Sequence, residues 1–225
     1  MFKRYQAVLD SNTADVLYAL KRMEEALAHQ RQALATFQAL ATADPSNVTA
    51  RNDVAISQSK IGEMLDAAGR TAESIPEFER ALEIHQSLAA ADPGNESFKL
   101  EIASDCNRLA TVQAKLGLRS ASLANHTRAV TASRELRDAN SGNVELRVAL
   151  ALALGGRGDA YAQFARRKTA GSGPEDLAAA ERDYAESVEI LTKLQKENAI
   201  QGTDVQTLEN NRAELEKIRK EINRR

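Results

Sequence analysis

The sequence is poor in the residues on which many folds and sites depend. Its 225 residues include one cysteine, Cys106, and no tryptophan, and aromatic residues make up only 4%. A single cysteine excludes an internal disulfide and a zinc site built from several thiolates. No apolar run is long enough to cross a membrane, and the N-terminal residues lack the apolar segment of a signal peptide. The sequence thus predicts a cytoplasmic protein by default.

The charge balance also narrows the function. The formal net charge is −2 at pH 7, so the chain has no strong basic field with which to hold phosphate backbones. We therefore expect no nucleic-acid partner. Apolar residues make up 43% of the chain, which is enough for a core. Because β-branched and aromatic residues favour strands while alanine favours helices, the alanine-rich, aromatic-poor composition predicts packed helices.

A repeat of 48 residues dominates what the sequence does contain. The segment Ala43–Asn47 returns as Ala91–Asn95 and, in an altered form, as Ala139–Asn143, so that the closing asparagines lie 48 residues apart. A fixed period of this length is typical of stacked repeat proteins, in which one unit cannot bury its apolar face alone. It predicts an array of similar units.

Each unit has the pattern of two helices. In the second repeat, Val54, Ile61 and Leu65 form one helical stripe, which ends at Gly69, and a second stripe begins near Phe78. The Asp-Pro turn then stops the second helix. We predict an all-α solenoid of four helical hairpins and a capping helix. The predicted repeats span about 1–47, 48–95, 96–143 and 144–201, and the capping helix spans 204–223, in one array over 1–225.

The fourth repeat carries a ten-residue insertion near Arg166–Pro174. There Ser172 and Glu175 have the spacing of a capping box for the next helix. Thr203 and Gln206 have the same spacing before the capping helix. Both pairs predict where a helix begins.

The residues where the two helices meet resemble those of the tetratricopeptide repeat. That repeat has a small residue in its first helix (helix A) and an aromatic and an alanine in its second (helix B); here these are Gly62, Phe78 and Ala81. The longer helices are similar to those of kinesin light chain repeats. The ending from Tyr184 to Ile222 resembles, more weakly, the C-terminal tetratricopeptide region of bacterial serine/threonine kinases. That likeness implies the non-catalytic part of a larger bacterial signalling protein, whose compartment would then depend on the parent.

The resemblance also implies where a partner binds. Tetratricopeptide arrays bind peptides on the concave face lined by helices A, and we expect the polar groove positions to be exposed there. Carried over position by position, the predicted contact residues are Ser59, Glu63, Asp66, Asn107, Thr111, Lys115, Asp159 and Gln163. The alternative for these positions is an ordinary solvated helix face.

Two other functions compete with peptide binding. An array can self-associate through its ends, which makes a structural or homo-oligomeric role the alternative hypothesis. An enzyme would need a cluster of catalytic groups, but His29, His85 and His126 fall at unrelated positions and nothing resembles a phosphate loop or metal motif. We therefore predict a non-enzymatic protein without metal or cofactor, and a buried, structural Cys106.

Overall fold

Helices form all the regular secondary structure in the computed structural model, which describes residues 2–224. No strand occurs in this part of the chain, and the predicted all-α class is confirmed, as is the order of four hairpins and a closing helix. The helices are α1 (Phe2–Ala19), α2 (Met23–Ala43), α3 (Val48–Ala67), α4 (Thr71–Ala91), α5 (Glu96–Lys115), α6 (Arg119–Ala139), α7 (Val144–Arg167), α8 (Pro174–Lys196) and α9 (Thr203–Asn223).

The helices group into two compact units, Met1–Val112 (unit 1) and Gln113–Arg225 (unit 2). Within unit 1, α1 packs on α2, α2 on α3, and α3 on α4. Within unit 2, α6 packs on α7, α7 on α8, and α8 on α9. Within each unit these helices thus pack on their neighbours in sequence, as stacked hairpins do. A single array over 1–225 stays a prediction.

The asparagine that recurs every 48 residues begins a helix. The Asn47 side chain accepts a hydrogen bond from the backbone N–H of Ala50 at 2.9 Å, and Asn143 caps Leu146 in the same way at 3.3 Å. An N-cap side chain satisfies one of the four N–H groups that the first turn leaves without a partner. The repeated turn therefore both ends one helix and begins the next.

Small residues allow the paired helices to approach closely. A Cβ placed on Gly62 would lie 2.8 Å from the ring of Phe78, which is buried between α3 and α4. A Cβ on Gly158 would lie 3.2 Å from the ring of Tyr184, which is fully buried between α7 and α8. These pairs confirm the small-with-aromatic pattern read from the sequence, since a larger side chain would push the helices apart.

Neither predicted capping box forms. The helix after the insertion begins at Pro174, and the carboxylate of Asp176 accepts the backbone N–H of Gly173 at 3.3 Å, so the Ser172–Glu175 prediction is wrong. The proline sets this start, because its missing N–H costs nothing in the first turn. At α9 the N-cap is Gly202, with positive φ and no side-chain cap bond, so the Thr203–Gln206 prediction is also wrong.

Helix α9 covers the apolar face of the last hairpin. Leu208, Leu215 and Ile218 are buried, Leu208 beside Leu191 of α8 and Ile218 in the cluster of Tyr184. The Asn211 amide donates to the Ser187 hydroxyl at 2.9 Å. The closing helix therefore does what the sequence predicts, because its apolar stripe replaces the contacts of a further repeat.

Candidate partner-binding surfaces

Ser59, the first of the predicted groove residues, is buried rather than exposed. Its hydroxyl donates a 2.7 Å hydrogen bond to a carboxylate oxygen of Asp105 on α5. The position faces the next helix A, and a partner would have no access to the hydroxyl. The expectation that this residue lies open in a groove is wrong.

Two further predicted residues on α3 are partly exposed and already carry intramolecular partners. Glu63 accepts a hydrogen bond from Arg108 of α5 at 2.6 Å, and Asp66 accepts one from the Thr71 hydroxyl at 2.8 Å. A half-exposed ion pair keeps much of its hydration and contributes little stability. The Glu63 carboxylate is therefore positioned by Arg108 while it stays accessible at the surface.

The Glu63–Arg108 pair repeats a pair one repeat earlier. Lys60 of α3 donates to Asp15 of α1 at 2.6 Å, and adding 48 to both positions gives Arg108 and Glu63. In each case a cation on the later helix A holds an acid on the earlier one. Adding 48 to Glu63 gives Thr111 on α5, which is exposed and whose hydroxyl donates to the carbonyl of Asn107.

Asp15, Glu63 and Thr111 therefore form a row, one residue for each helix A of unit 1. About half of the Asp15 and Glu63 side chains remains accessible, and Thr111 is exposed. Asn107, the other predicted residue of α5, is half-buried one turn before Thr111. We refer to Asp15, Glu63 and Thr111 as the polar row.

Three of the predicted residues, Lys115, Asp159 and Gln163, lie in unit 2, and each makes a different contact. The Gln163 amide donates to the Ala114 carbonyl at 2.6 Å, and Lys115 is exposed while its carbonyl accepts from Arg167 at 3.3 Å. Asp159 accepts the hydroxyl hydrogen bond of Tyr184. These contacts tie α7 to the end of α5 and to α8, so the side chains of Gln163 and Asp159 also have structural roles.

Desolvation changes the acidity of the Asp159–Tyr184 pair. Although Asp159 as a residue is accessible to solvent, burial of its carboxylate on the Tyr184 side raises the pKa of Asp159. Burial, together with the negative charge of Asp159, raises the pKa of the Tyr184 hydroxyl beyond its ordinary range. The hydroxyl stays protonated and donating throughout the physiological range.

The structure also contains a buried polar group that the sequence reading missed. His85 Nδ1 of α4 lies 2.6 Å from Asp105 Oδ2 of α5, while Ser59 of α3 donates to the other carboxylate oxygen. All three side chains are buried. A nucleophilic serine needs its hydroxyl bonded to the imidazole and open to substrate. Here the hydroxyl points to the carboxylate instead, so the group links three helices of unit 1.

The two other histidines differ from His85. His29 of α2 is partly exposed and lies 3.4 Å from an Asp10 carboxylate. His126 of α6 is buried, and burial, with the positive charge of Arg157, lowers its pKa to about 4. His126 is therefore neutral at physiological pH and fills the position that Phe78 and Tyr184 occupy in their repeats.

Arg166, at the insertion, and Arg119 of α6 contact other helices of unit 2. The Arg166 guanidinium donates to Glu221 at 2.8 Å and to Glu214 at 3.1 Å, both on α9. Arg119 of α6 donates to Asp176 of α8 at 2.7 Å and lies over the Phe164 ring. These contacts join α6, α7, α8 and α9 of unit 2.

Residues 2–224 show neither a metal-ligand cluster nor a membrane-spanning helix. This part of the chain holds no cluster of three or more metal-ligating side chains. None of its helices combines the length and apolar character needed to cross a bilayer. The thiol of Cys106 is buried, as the sequence predicts.

Solved structures of similar fold are helical repeats. The structure of BtubC (BKLC) from P. vanneervenii is 16% identical over 98% of this chain and 82% of its own, with a TM-score of 0.49. TTC0263, described as a thermophilic TPR protein in Thermus thermophilus, is 17% identical over 92% of this chain and 97% of its own, with a TM-score of 0.41.

A third similar structure is that of YrrB, described as a TPR protein with an unusual peptide-binding site. It is 22% identical over 83% of this chain and 84% of its own, with a TM-score of 0.35. No protein family and no curated protein sequence matches the chain. Residues 2–224 form a helical repeat of paired helices in which small residues oppose aromatic rings.

Proposed function

We propose that this protein is a protein-interaction module that binds a peptide or an extended segment of a partner on the helix-A surface of unit 1. The polar row carries the proposal. It places one accessible hydrogen-bonding side chain at the same repeat position of α1, α3 and α5. Accessible polar side chains at a repeated position can bind the polar groups of an extended segment.

The ion pairs of the row favour a hydrogen-bond donor as the partner. Lys60 and Arg108 hold the carboxylates of Asp15 and Glu63 in place, which lowers the entropic cost of ordering them on binding. Carboxylates accept hydrogen bonds and attract cations. We therefore expect peptides with basic or backbone-donor character, and not a C-terminal carboxylate, to bind best.

A selected peptide library tests this proposal. Peptides enriched on the wild-type protein are titrated against Glu63→Lys and Thr111→Arg, which reverse charge or add bulk within the row. Glu83→Lys is the matched control, since Glu83 is an exposed acid on α4. We expect the row variants to weaken binding at least about tenfold, equivalent to about 1.4 kcal/mol, and the control to bind as the wild type does. Equal effects of Glu63→Lys and Glu83→Lys would remove the row from the binding surface.

Lys115, Asp159 and Gln163 remain proposed contacts of unit 2, and substitution of each against the same peptides tests them separately. The resemblance of the C-terminal segment to kinase-associated arrays supports the further proposal that the module serves a larger bacterial signalling protein. The parent reading frame tests that point.

Self-association is the second candidate function. It is favoured by one observation, which is that large apolar side chains are concentrated on the surface of α1.

A further inference from the structure

A line of exposed apolar side chains runs along α1 and ends at Leu20, the residue just after this helix. Phe2, Tyr5, Leu9, Val16 and Leu20 are 82%, 65%, 44%, 61% and 62% exposed. Their spacings of 3, 4, 7 and 4 place them on one face of a helix. They are five of the nine large apolar residues exposed in the part of the chain that the structure describes. We call these five residues the α1 stripe.

The α1 stripe contains no charged residue. Arg4 and Asp15 of α1 turn away from it and pair with Asp53 and Lys60 of α3. At roughly 100 Å² for each side chain, the stripe exposes about 500 Å² of apolar surface, which is at the upper end for a patch on a monomer. A groove of about 620 Å³, lined in part by Phe2, Ala39 and Leu40, lies beside it between α1 and α2.

The repeat itself shows what this face is built to contact. Adding 48 to Thr13 and Val16 gives Ile61 and Met64 of α3, which are buried in one cluster with Ala14, Leu17 and Ala26. On α3, therefore, the same helix face is covered by a helical hairpin of the same kind. The matching face of α3 thus shows that this side of a helix A packs against an apolar helical surface.

The closing helix cannot provide such a surface. The outward residues of α9 include Glu209, Glu216, Lys217 and Lys220. Among the described residues, none of the exposed large apolar ones lies on α9. Docking of this surface on the α1 stripe would bury unpaired charges, which is costly. A head-to-tail chain of copies is therefore unfavourable.

We propose that the α1 stripe binds the α1 stripe of a second copy of this chain, forming a closed two-fold dimer. The inference gives the second candidate function its surface and does not depend on peptide binding at the polar row. Two such stripes bury about 1,000 Å² of apolar surface, which reaches the size range of specific interfaces once flanking atoms are added. A two-fold interface uses the same patch twice and ends at two copies.

The charges beside the stripe favour antiparallel packing. Lys3 follows Phe2 at one end of α1, and Lys21 follows Leu20 at the other. Glu24, in the first turn of α2, is 78% exposed and lies 3.9 Å from the Arg70 guanidinium. Antiparallel copies bring Lys3 of one near both Lys21 and Glu24 of the other, whereas parallel copies pair only like charges, Lys3 with Lys3 and Lys21 with Lys21. The aromatic half of each stripe then meets the aliphatic half of the other, with the exposed Asn12 near the two-fold axis.

The mass of the protein in solution tests the proposal. Light scattering after size exclusion is expected to give twice 24.5 kDa for the wild-type chain. Leu9→Glu is expected to give the monomer, with the dimer dissociation constant raised at least about 100-fold. Leu152→Glu is the matched control, because Leu152 is a leucine of similar exposure, 40%, on α7 of unit 2. It is expected to remain dimeric, and circular dichroism checks that both variants fold.

Each other outcome overturns the proposal in a distinguishable way. If the wild-type protein stays monomeric throughout the micromolar range, self-association is ruled out. A dimer that persists in Leu9→Glu leaves self-association standing and rejects the α1 stripe as its surface. Crosslinking tests the orientation in a Cys106→Ala background. Asn12→Cys is expected to form a disulfide with its own copy faster than Phe2→Cys or Leu20→Cys, and the reverse order rejects antiparallel packing.

Discussion

The His85 imidazole lies 2.6 Å from the carboxylate of Asp105, and both side chains are completely buried in unit 1. The second carboxylate oxygen accepts the Ser59 hydroxyl, so one acid joins α3, α4 and α5. A buried polar group that loses its hydrogen-bond partner pays the full cost of desolvation.

Asp105→Ala is therefore expected to destabilise unit 1 severely. The substitution leaves His85 and Ser59 buried without their shared acceptor, at a cost of about 3–5 kcal/mol. Asp105→Asn keeps one acceptor and is expected to cost less than half as much. Urea denaturation of both variants measures the difference. The control is Asp138→Ala, an exposed acid for which we expect a change within about 0.5 kcal/mol. Equal stability of Asp105→Ala and the wild type would contradict the role given to the buried carboxylate.

The close approach of α3 and α4 makes a second prediction. Gly62→Ala places a methyl group 2.8 Å from the Phe78 ring, and the resulting overpacking is expected to cost about 1–3 kcal/mol of unfolding free energy. Gly142→Ala is the control, because no atom lies within 4 Å of its Cβ position. If steric conflict is the cause, Phe78→Leu makes the Gly62→Ala substitution less costly in a double-mutant cycle. An additive cycle would rule out the conflict.

The lowered pKa of His126 predicts sensitivity to acid. The pKa is about 4 in the folded protein and near 6.5 in the unfolded chain, so the unfolded state binds more protons between these values. Stability is fully present above pH 6.5 and falls as the pH drops towards 4, by on the order of 3 kcal/mol from this residue. Thermal unfolding of His126→Phe is expected to lose this part of the pH dependence.

His29→Gln serves as the control for that experiment. Its imidazole is 40% exposed, so its substitution is expected to leave most of the acid sensitivity in place. An unchanged pH profile in His126→Phe would show that another group causes the loss of stability.

Helix α9 provides the fourth prediction. Ile218 is fully buried and Lys217 beside it is 60% exposed, so the pair separates packing from surface effects on one helix. Ile218→Ala is expected to cost about 2–5 kcal/mol, and Lys217→Ala less than about 0.5 kcal/mol. Urea denaturation followed by circular dichroism, or hydrogen exchange of α7 and α8, measures the result. Similar effects of the two substitutions would mean that α9 does not close the apolar face.

Much of the fold could be read from the chain because the repeat makes local signals strong. Asn47 and Asn143 mark helix starts, Gly69 takes the positive φ that ends α3, and Gly62 opposes an aromatic ring. The failed capping boxes show the limit of such patterns. The Ser172–Glu175 spacing correctly indicates a helix start in this region, but Pro174 fixes that start one residue later.

The candidate surface was harder to predict, and Ser59 shows why. Its spacing put it on a polar strip of α3, but that strip faces α5, where Asp105 receives the hydroxyl. The sequence did hold a signal for Asp105, which falls between the apolar Phe98 and Leu109 on one helix stripe. An acid in such a stripe needs a buried partner, but the stripe does not say which residue supplies it.

The amino-acid order alone is enough to specify the helices, their succession, the turns between them and the presence of a closing helix, because these depend on periodicity and on residues close together in the chain. Packing between distant segments is what joins Ser59 to His85 through Asp105, brings Arg108 to Glu63, and leaves the apolar face of α1 exposed while the same face of α3 is covered. A helical period states which side chains share a face, and the fold of the whole chain selects what that face contacts.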